Sequence, residues 1–204
     1  MMKTLSALHF NTLGEIIKNG TERAAQGLSD VIGESVQPSV PTVELVKLND
    51  AGISSLRLNS EKFGIITQEF VGAVDAEIML IFAEENVLHI VRNMMMASDT
   101  DIEVIREVEN EAMCELGNIM INACLASITD ALKISMESTL PRYSVRSGEE
   151  IVTHIKTENK EFLLTSHVDF SIKGTPMEGK LFVLLNSSAI DNVIDEINLC
   201  AGVS

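Results

Sequence analysis

A carboxylate and a carboxamide one helical turn apart are the side chains with the clearest chemical potential in this sequence. Glu115 and Asn118 belong to the segment ELGN, residues 115–118, and a separation of three residues places both on one face of an α-helix. The carboxylate can accept a hydrogen bond from a cationic group, and the carboxamide can orient a water molecule. The same pair also fits an ordinary solvated helix face, so its meaning depends on the surrounding sequence.

The helix that would carry this pair is predicted over residues 101–133. Thr100 and Glu103 fit a T-x-x-E capping box, with Asp101 in the first turn. Apolar residues at steps of three and four predict a buried stripe made of Ile105, Val108, Ala112, Leu116, Ile119, Ala123 and Ala126. The polar residues opposite this stripe are Glu107, Glu111, Glu115, Asn118 and Asn122. The pair is therefore expected on the solvent side of the helix.

An internal repeat organises the rest of the chain. Residues 13–30 match residues 113–130 at an offset of 100, which places Glu15 opposite Glu115. Further matches follow in the same order, namely Pro41 with Pro141, and residues 76–82 with residues 178–184 at an offset of about 102. The shared order and spacing predict a duplication. We expect one domain over residues 1–204, built of two repeats at about 4–98 and 100–202.

Each repeat is predicted to contain a long helix, three strands and a shorter helix. The first long helix, 4–34, is interrupted in its pattern by Gly20 and Gly27. Alternation and β-branched residues predict strands at 41–48, 63–71 and 74–83, and again at 137–145, 162–172 and 179–186. Loops are predicted at 49–60, 146–150 and 173–176. The fold class is α+β, with two pseudo-symmetric halves sharing a six-stranded, mainly antiparallel sheet on which two long helices pack.

Composition narrows the classes of function. The 204 residues carry a formal charge of -15, which argues against nucleic acid and against insertion into or binding to an anionic membrane. Three cysteines without a CxxC pair and four scattered histidines predict neither a disulfide framework nor a metal site. No secretory signal and no apolar run of spanning length is apparent. A cytoplasmic protein is expected.

The motif and the duplication together resemble a known family. ELGN on a long helix, followed after 22 residues by Pro141, resembles the CheC/CheX/FliY phosphatase family of bacterial and archaeal chemotaxis. The segments LGEIIKNGTERAA and SVPTVELV are similar to the first CheC repeat, and ENEAMCELGNIM and STLPRY to the second. Chain length and the duplication are more similar to CheC than to the shorter CheX.

This resemblance implies a phosphatase that hydrolyses the aspartyl phosphate of a phosphorylated CheY-like response regulator. In that family the motif Glu contacts a Lys of the receiver and the motif Asn positions the attacking water. Glu115 would then be the docking acid and Asn118 the water-orienting residue, with Glu111 and Pro141 as possible accessory residues. Glu111 stands where the family usually has Asp or Ser. The Mg²⁺ is expected on the receiver, and no cofactor is expected on this chain.

The first repeat is predicted to hold a degenerate site. Glu15 is kept there, but Lys18 stands in the place of Asn118, and Ile17 in the place of Gly117. An ammonium group cannot accept a hydrogen bond from water, and it would repel the Lys of a receiver. One alternative function stays open for the whole chain, a non-catalytic module that binds a receiver or a CheD-like deamidase.

Overall fold

The computed structural model describes residues 5–56, 58, 61–95, 101–158, 160–172 and 175–202. The helices are α1 (Ala7–Ile32), α2 (Asp50–Ser55), α3 (Glu84–Met94), α4 (Ile102–Leu132), α5 (Gly148–Thr157) and α6 (Ser187–Ala201). The strands are β1 (Val36–Pro38), β2 (Val43–Lys47), β3 (Lys62–Gly72), β4 (Ala76–Ala83), β5 (Met136–Ser138), β6 (Arg142–Ser147), β7 (Phe162–His167), β8 (Phe170–Ile172), β9 (Thr175–Met177) and β10 (Gly179–Leu185). The predicted α+β class is confirmed.

An antiparallel sheet of seven strands forms the centre of the fold. Its order is β2-β7-β10-β4-β3-β5, and β6 also pairs with β3. The central pair is β10 and β4, with Leu181 opposite Leu80. The sheet has one strand more than predicted because the segment 137–145 is divided into β5 and β6 on either side of Pro141, which has no N–H for a ladder. A smaller sheet has the order β1-β8-β9.

The two long helices pack against each other and contribute to the main core on one side of the central sheet. Helix α1 is continuous through Gly20 and Gly27, the two glycines that interrupt its apolar pattern. A Cβ at Gly20 would lie 2.8 Å from the Cα of Cys124, so the missing side chain allows α1 and α4 to approach closely. Burial raises the pKa of the Cys124 thiol to about 12, so this side chain stays neutral in the core.

The buried face of α4 differs from the predicted stripe. Of the predicted core positions only Ile105 and Leu116 are buried, and the full buried set is Ile105, Glu109, Met113, Leu116, Gly117, Met120, Ile121, Cys124, Ser127 and Leu132. Apolar residues occur all round this helix, while two of its buried positions are Glu109 and Ser127, so hydrophobicity alone does not define the face. Asp101 caps the helix by accepting from the amide of Glu103, and Thr100 lies outside the described residues.

Two of the predicted loops contain helices, and a third contains a strand. Helix α2 lies within 49–60, α5 begins within 146–150, and β9 overlaps 173–176. Helix α5 is started by a capping box in which Ser147 and Glu150 bond each other's backbone amides. Its residues Ile151 and Ile155 join a second core cluster on the sheet. These segments were predicted as loops because they are rich in polar residues, although they contain parts of short amphipathic elements.

By length and composition, helix α4 could also cross a membrane. It contacts α1, α3 and β3, and its buried apolar residues belong to the main core. Those contacts account for its apolar character as a core helix.

Candidate active site on helix α4

An open groove of about 640 Å³ lies beside α4. Its lining is made of Met94, Met95, Val108, Glu111, Ala112, Cys114, Glu115, Asn118, Leu140 and Pro141. The structure therefore brings together Glu111, Glu115, Asn118 and Pro141, the four residues that the motif singled out in the second repeat. Glu111, Glu115 and Asn118 are exposed, and Pro141 is half-buried.

Gly117 sets the distance between α4 and the rest of this site. A Cβ at Gly117 would lie 2.4 Å from Cγ2 of Ile66 and 3.4 Å from Cβ of Pro141, so any other residue would push the helix away from β3. The backbone carbonyl of Pro141 also accepts a weak hydrogen bond from Cys114 Sγ at 3.6 Å. Glycine in the motif thus holds the next residue, Asn118, beside the Leu140–Pro141 segment.

A chain of amide side chains ends at Asn118. Asn122 Nδ2 donates to Asn118 Oδ1 at 2.7 Å. Gln68 Nε2, on β3, lies 3.3 Å from Asn122 Oδ1 and 2.8 Å from the backbone oxygen of Thr139, and it donates to both. The Asn118 carboxamide is therefore held in one orientation, with its oxygen toward Asn122 and its NH₂ group away from that bond.

Thr139 fixes the far end of this chain to the sheet. Its backbone N–H donates to the carbonyl oxygen of Glu69 at 3.0 Å, and its hydroxyl accepts from the Glu69 amide at 3.1 Å. These bonds hold the connection between β5 and β6, which carries Leu140 and Pro141. One rim of the groove is thereby tied to the strand that also carries Gln68.

The groove is electronegative. Glu111 and Glu115 face solvent there, and no Lys or Arg is among the described residues that line it. The nearby Arg106 is engaged elsewhere, at 3.0 Å from Glu84 and 3.6 Å from the buried Glu109. Glu109 also accepts from the hydroxyl of Tyr143, and burial with this contact raises the pKa of Tyr143. The exposed carboxylates are thus available to a cation from outside the chain.

The matching position in the first half has a different character. Glu15 is exposed and Lys18 is half-buried on α1, while Ile17 is buried at 2% exposure. Ile17 is part of the core, so this part of α1 serves packing where α4 has Gly117. That the first site is inactive stays a prediction.

Sequence reasoning missed several residues of this site. Gln68 and Thr139 were not singled out, and neither was Leu140, whose side chain is 84% exposed on the rim. One signal was present for Gln68, because it interrupts the apolar alternation of Ile66 and Phe70 on the inner face of β3. Met94 and Met95, at the end of α3, are half-buried and line the groove.

A second polar cluster, absent from the sequence-based predictions, lies at α5. The candidate ligand atoms of Glu77, His154 and Glu158 all lie within 4.8 Å of one another, a spacing that a cation could bridge. His154 Nε2 lies 2.9 Å from an oxygen of the buried Glu77, and Arg142 and Arg146 line the same depression. Basic side chains of the chain itself thus lie in the same depression as these carboxylates, and the His154–Glu77 bond holds α5 against β4.

Comparisons with known structures show that FliY, FliM and CheX proteins have a similar architecture. FliY of Thermotoga maritima superposes with a TM-score of 0.78 at 20% identity, covering 97% of this chain and 100% of that one. The FliM middle domain of H. pylori gives 0.64 at 8% identity, over 94% and 99% of the two chains. CheX of Borrelia burgdorferi, crystallised with CheY, BeF₃ and Mg²⁺, gives 0.51 at 16% identity, over 82% and 96%. The chain thus has the CheC/FliY fold.

A sequence comparison supports the same grouping. A protein of Halobacterium salinarum, provisionally named CheY-P phosphatase CheC1, is 18% identical over 198 residues, which cover 97% of this chain and 100% of that protein. No protein-family profile matches the chain. The resemblance to the CheC/CheX/FliY proteins is confirmed, by a full-length curated relative and by the fold.

Proposed function

We propose that this protein is a phosphatase that hydrolyses the aspartyl phosphate of a CheY-like response regulator. The observation that carries the proposal is the exposure of Glu115 and Asn118 side by side in one groove, with the Asn118 amide held in a fixed orientation. The name of the archaeal relative and the crystallised CheX–CheY complex support the same reaction and partner. With such a partner, we expect the protein in the cytoplasm.

The chemistry follows from the two side chains. A water oxygen attacks phosphorus in line with the aspartyl oxygen, the P–O bond to the aspartate breaks, the carboxylate departs, and the water proton passes to the phosphoryl oxygens of the released phosphate. Such a reaction needs positioning and charge neutralisation more than a strong base. Asn118 supplies the positioning of water as a neutral amide, and Glu115 docks the site by pairing with a cation of the receiver. The Mg²⁺ belongs to the receiver.

A second function is favoured by the same fold in FliM. FliM of H. pylori has been crystallised with FliG and with SpeE, and it superposes on this chain with TM-scores of 0.65 and 0.69. A protein of this fold can therefore act by binding other proteins. On this reading Glu115 and the groove bind a receiver or a CheD-like protein, and no phosphate is released.

The two functions are separated by measuring dephosphorylation. CheY-like receivers from the same genome are phosphorylated with acetyl phosphate and Mg²⁺, and loss of phosphate is followed with this protein in excess. We expect Asn118→Ala to slow the reaction about 10–100-fold, or about 1.4–2.7 kcal/mol, and to leave receiver affinity unchanged. Glu115→Gln should lower affinity for the beryllofluoride-activated receiver, and its effect should diminish at high salt.

Glu107→Gln is the matched control for Glu115→Gln, because Glu107 is an exposed carboxylate on the same helix outside the groove lining. Both substitutions remove one negative charge, so only a specific contact makes them differ. If Asn118→Ala accelerates dephosphorylation as much as the wild type does, the catalytic assignment is contradicted. Binding without any acceleration would establish the FliM-like function.

A further inference from the structure

We infer that Asn122 and Gln68 are positioning residues that turn the Asn118 amide so that its N–H groups face the groove. The inference rests on the proposed function and deepens it. It assigns a direction to the amide that acts on water or on the phosphoryl oxygens. Neither Asn122 nor Gln68 lines the groove, so both act through Asn118.

The carbonyl of Thr139 fixes which atom is oxygen and which is nitrogen in each of the three side-chain amides, Gln68, Asn122 and Asn118. The backbone carbonyl of Thr139 can only accept, so the side-chain atom of Gln68 at 2.8 Å from it must be the nitrogen. The same nitrogen donates to Asn122, so the oxygen of Asn122 faces Gln68. The nitrogen of Asn122 then faces Asn118 and requires its oxygen there. Asn118 is left with its two N–H donors pointing away from the chain of amides.

Because Gln68 is buried, this set of hydrogen-bonded amides lowers the stability of the fold. Gln68 is 2% exposed, and its Oε1 is a buried atom without a hydrogen-bond partner within the described part of the protein. A buried, unpaired acceptor destabilises a fold, and an apolar residue of similar size would avoid that cost. The matching position 100 residues later, in the second half, is Val168, an apolar residue that is also buried at 2% exposure. The amide at position 68 is therefore better explained by what it orients than by stability.

An oriented donor suits the proposed reaction. Donation from Asn118 to the oxygen of the in-line water, or to a phosphoryl oxygen, stabilises charge as it develops. Because amides in a chain polarise one another, the N–H groups of Asn118 become better donors when Asn122 bonds its oxygen. The second lone pair of the Asn118 oxygen stays available to a water proton. The arrangement thus fixes both the position and the polarity of the group.

The test compares substitutions of Asn122 in the dephosphorylation assay, with this protein in saturating excess over a phosphorylated CheY-like receiver. Asn122→Ala should lower the single-turnover rate about three- to tenfold, the effect of one neutral hydrogen bond. Asn122→Asp should lower it at least as much, because a carboxylate only accepts and would turn the Asn118 N–H groups inward. Affinity for the beryllofluoride-activated receiver should not change. Asn110→Ala, an exposed asparagine on the same helix, is the control.

A double-mutant cycle separates positioning from a structural role. In an Asn118→Ala background, Asn122→Ala and Gln68→Leu should have no further effect on the rate, whereas independent effects would add. A wild-type rate in Asn122→Ala, additive losses in the double mutants, or full activity of Asn122→Asp would each overturn the inference. If Asn118→Ala alone retained the wild-type rate, the assigned active site itself would be wrong.

Discussion

Lys18 of α1 and Asn118 of α4 are matching residues with different neighbours. One hundred residues before Asn122 the chain has Glu22, and one hundred residues after Gln68 it has Val168. The positions that match the three amides are therefore Lys18, Glu22 and Val168, none of which is an amide, and the ammonium group of Lys18 has an acidic residue one turn away. If the first site is inactive, as predicted, its inactivity involves an entire set of contacts and not Lys18 alone.

We predict that Lys18→Asn alone gives no gain over an Asn118→Ala parent, because the new amide would have no partner to orient it. Adding Glu22→Asn should give a small, measurable gain in dephosphorylation of the cognate receiver. Glu22→Asn without the change at Lys18 is the control. Substantial activity from Lys18→Asn by itself would show that a fixed amide orientation is unnecessary.

Leu140 is expected to contribute to receiver binding through its exposed side chain on the rim of the groove. Burying a leucine fully is worth about 1.5–3 kcal/mol, so Leu140→Ser should weaken affinity for an activated receiver by roughly tenfold. The chain offers a matched control in Val40, which lies one hundred residues earlier and is 79% exposed. Equal effects of Leu140→Ser and Val40→Ser in a titration would contradict this role.

At the scale of elements, the two long helices end in the same way with different residues. Gly33 follows α1 with φ 72°, and Lys133 follows α4 with φ 54°. The left-handed conformation is strained for Lys and not for Gly. We predict that Lys133→Gly stabilises the protein by about 0.5–1 kcal/mol, a rise in Tm of about 1–3 °C. Lys156→Gly, inside α5, should instead lower Tm, and a loss of stability in Lys133→Gly would refute the argument.

The capping box at the N-terminus of helix α5 should stabilise the protein in a pH-dependent way. Hydrogen bonds from the amide and hydroxyl of Ser147 lower the pKa of Glu150 below its usual range. A carboxylate with a lowered folded pKa stabilises the fold above its unfolded pKa, and this contribution is lost as pH falls below about 4.5. Ser147→Ala should therefore lower Tm more at pH 7 than at pH 3.5. A Tm difference that is independent of pH would contradict this linkage.

These helices also show what the sequence could predict. The two long helices and the main strands follow from apolar patterns, although the buried face of α4 does not. The ELGN spacing predicts that Glu115 and Asn118 share one helix face. Ser147 and Glu150 form a capping signature that would have located α5, but the Gly and Ser around them favour a loop in local statistics. The Gln68 contact depends on β3 lying beside α4, and no local pattern specifies a pairing between residues so distant in the chain.

At the scale of the whole molecule, each half provides a strand to the other. Strand β2 pairs with β7 of the second half, and β6 pairs with β3 of the first. The registers also correspond at an offset of 100: Lys47 opposite Phe162 matches Lys62 opposite Ser147, and Val36 opposite Ile172 matches Gly72 opposite Met136. This correspondence supports the predicted duplication and a pseudo-two-fold axis between β4 and β10.

Because each half pairs a strand with the other half, we predict that residues 1–98 alone do not fold as a monomer. Without the second half, β2 loses β7, the one neighbour it has in the central sheet among the described residues, and β3 loses β6. We expect the fragment to be unfolded, or folded only as a dimer in which a second copy supplies the missing edges. Circular dichroism with light scattering distinguishes these states, and addition of residues 99–204 should restore native helicity. A folded monomer of the fragment would contradict the prediction.

The strands exchanged between the halves also determine when the central sheet can form during synthesis. Residues of β2 pair with residues of β7 that lie more than a hundred positions later, and β4 pairs with β10 at a separation of about a hundred. Contacts so distant in sequence slow folding, and unpaired apolar strand edges are prone to aggregation while they wait. The edge of β4 that pairs with β10 therefore stays unpaired during synthesis until β10 has left the ribosome, although its other edge can already pair with β3.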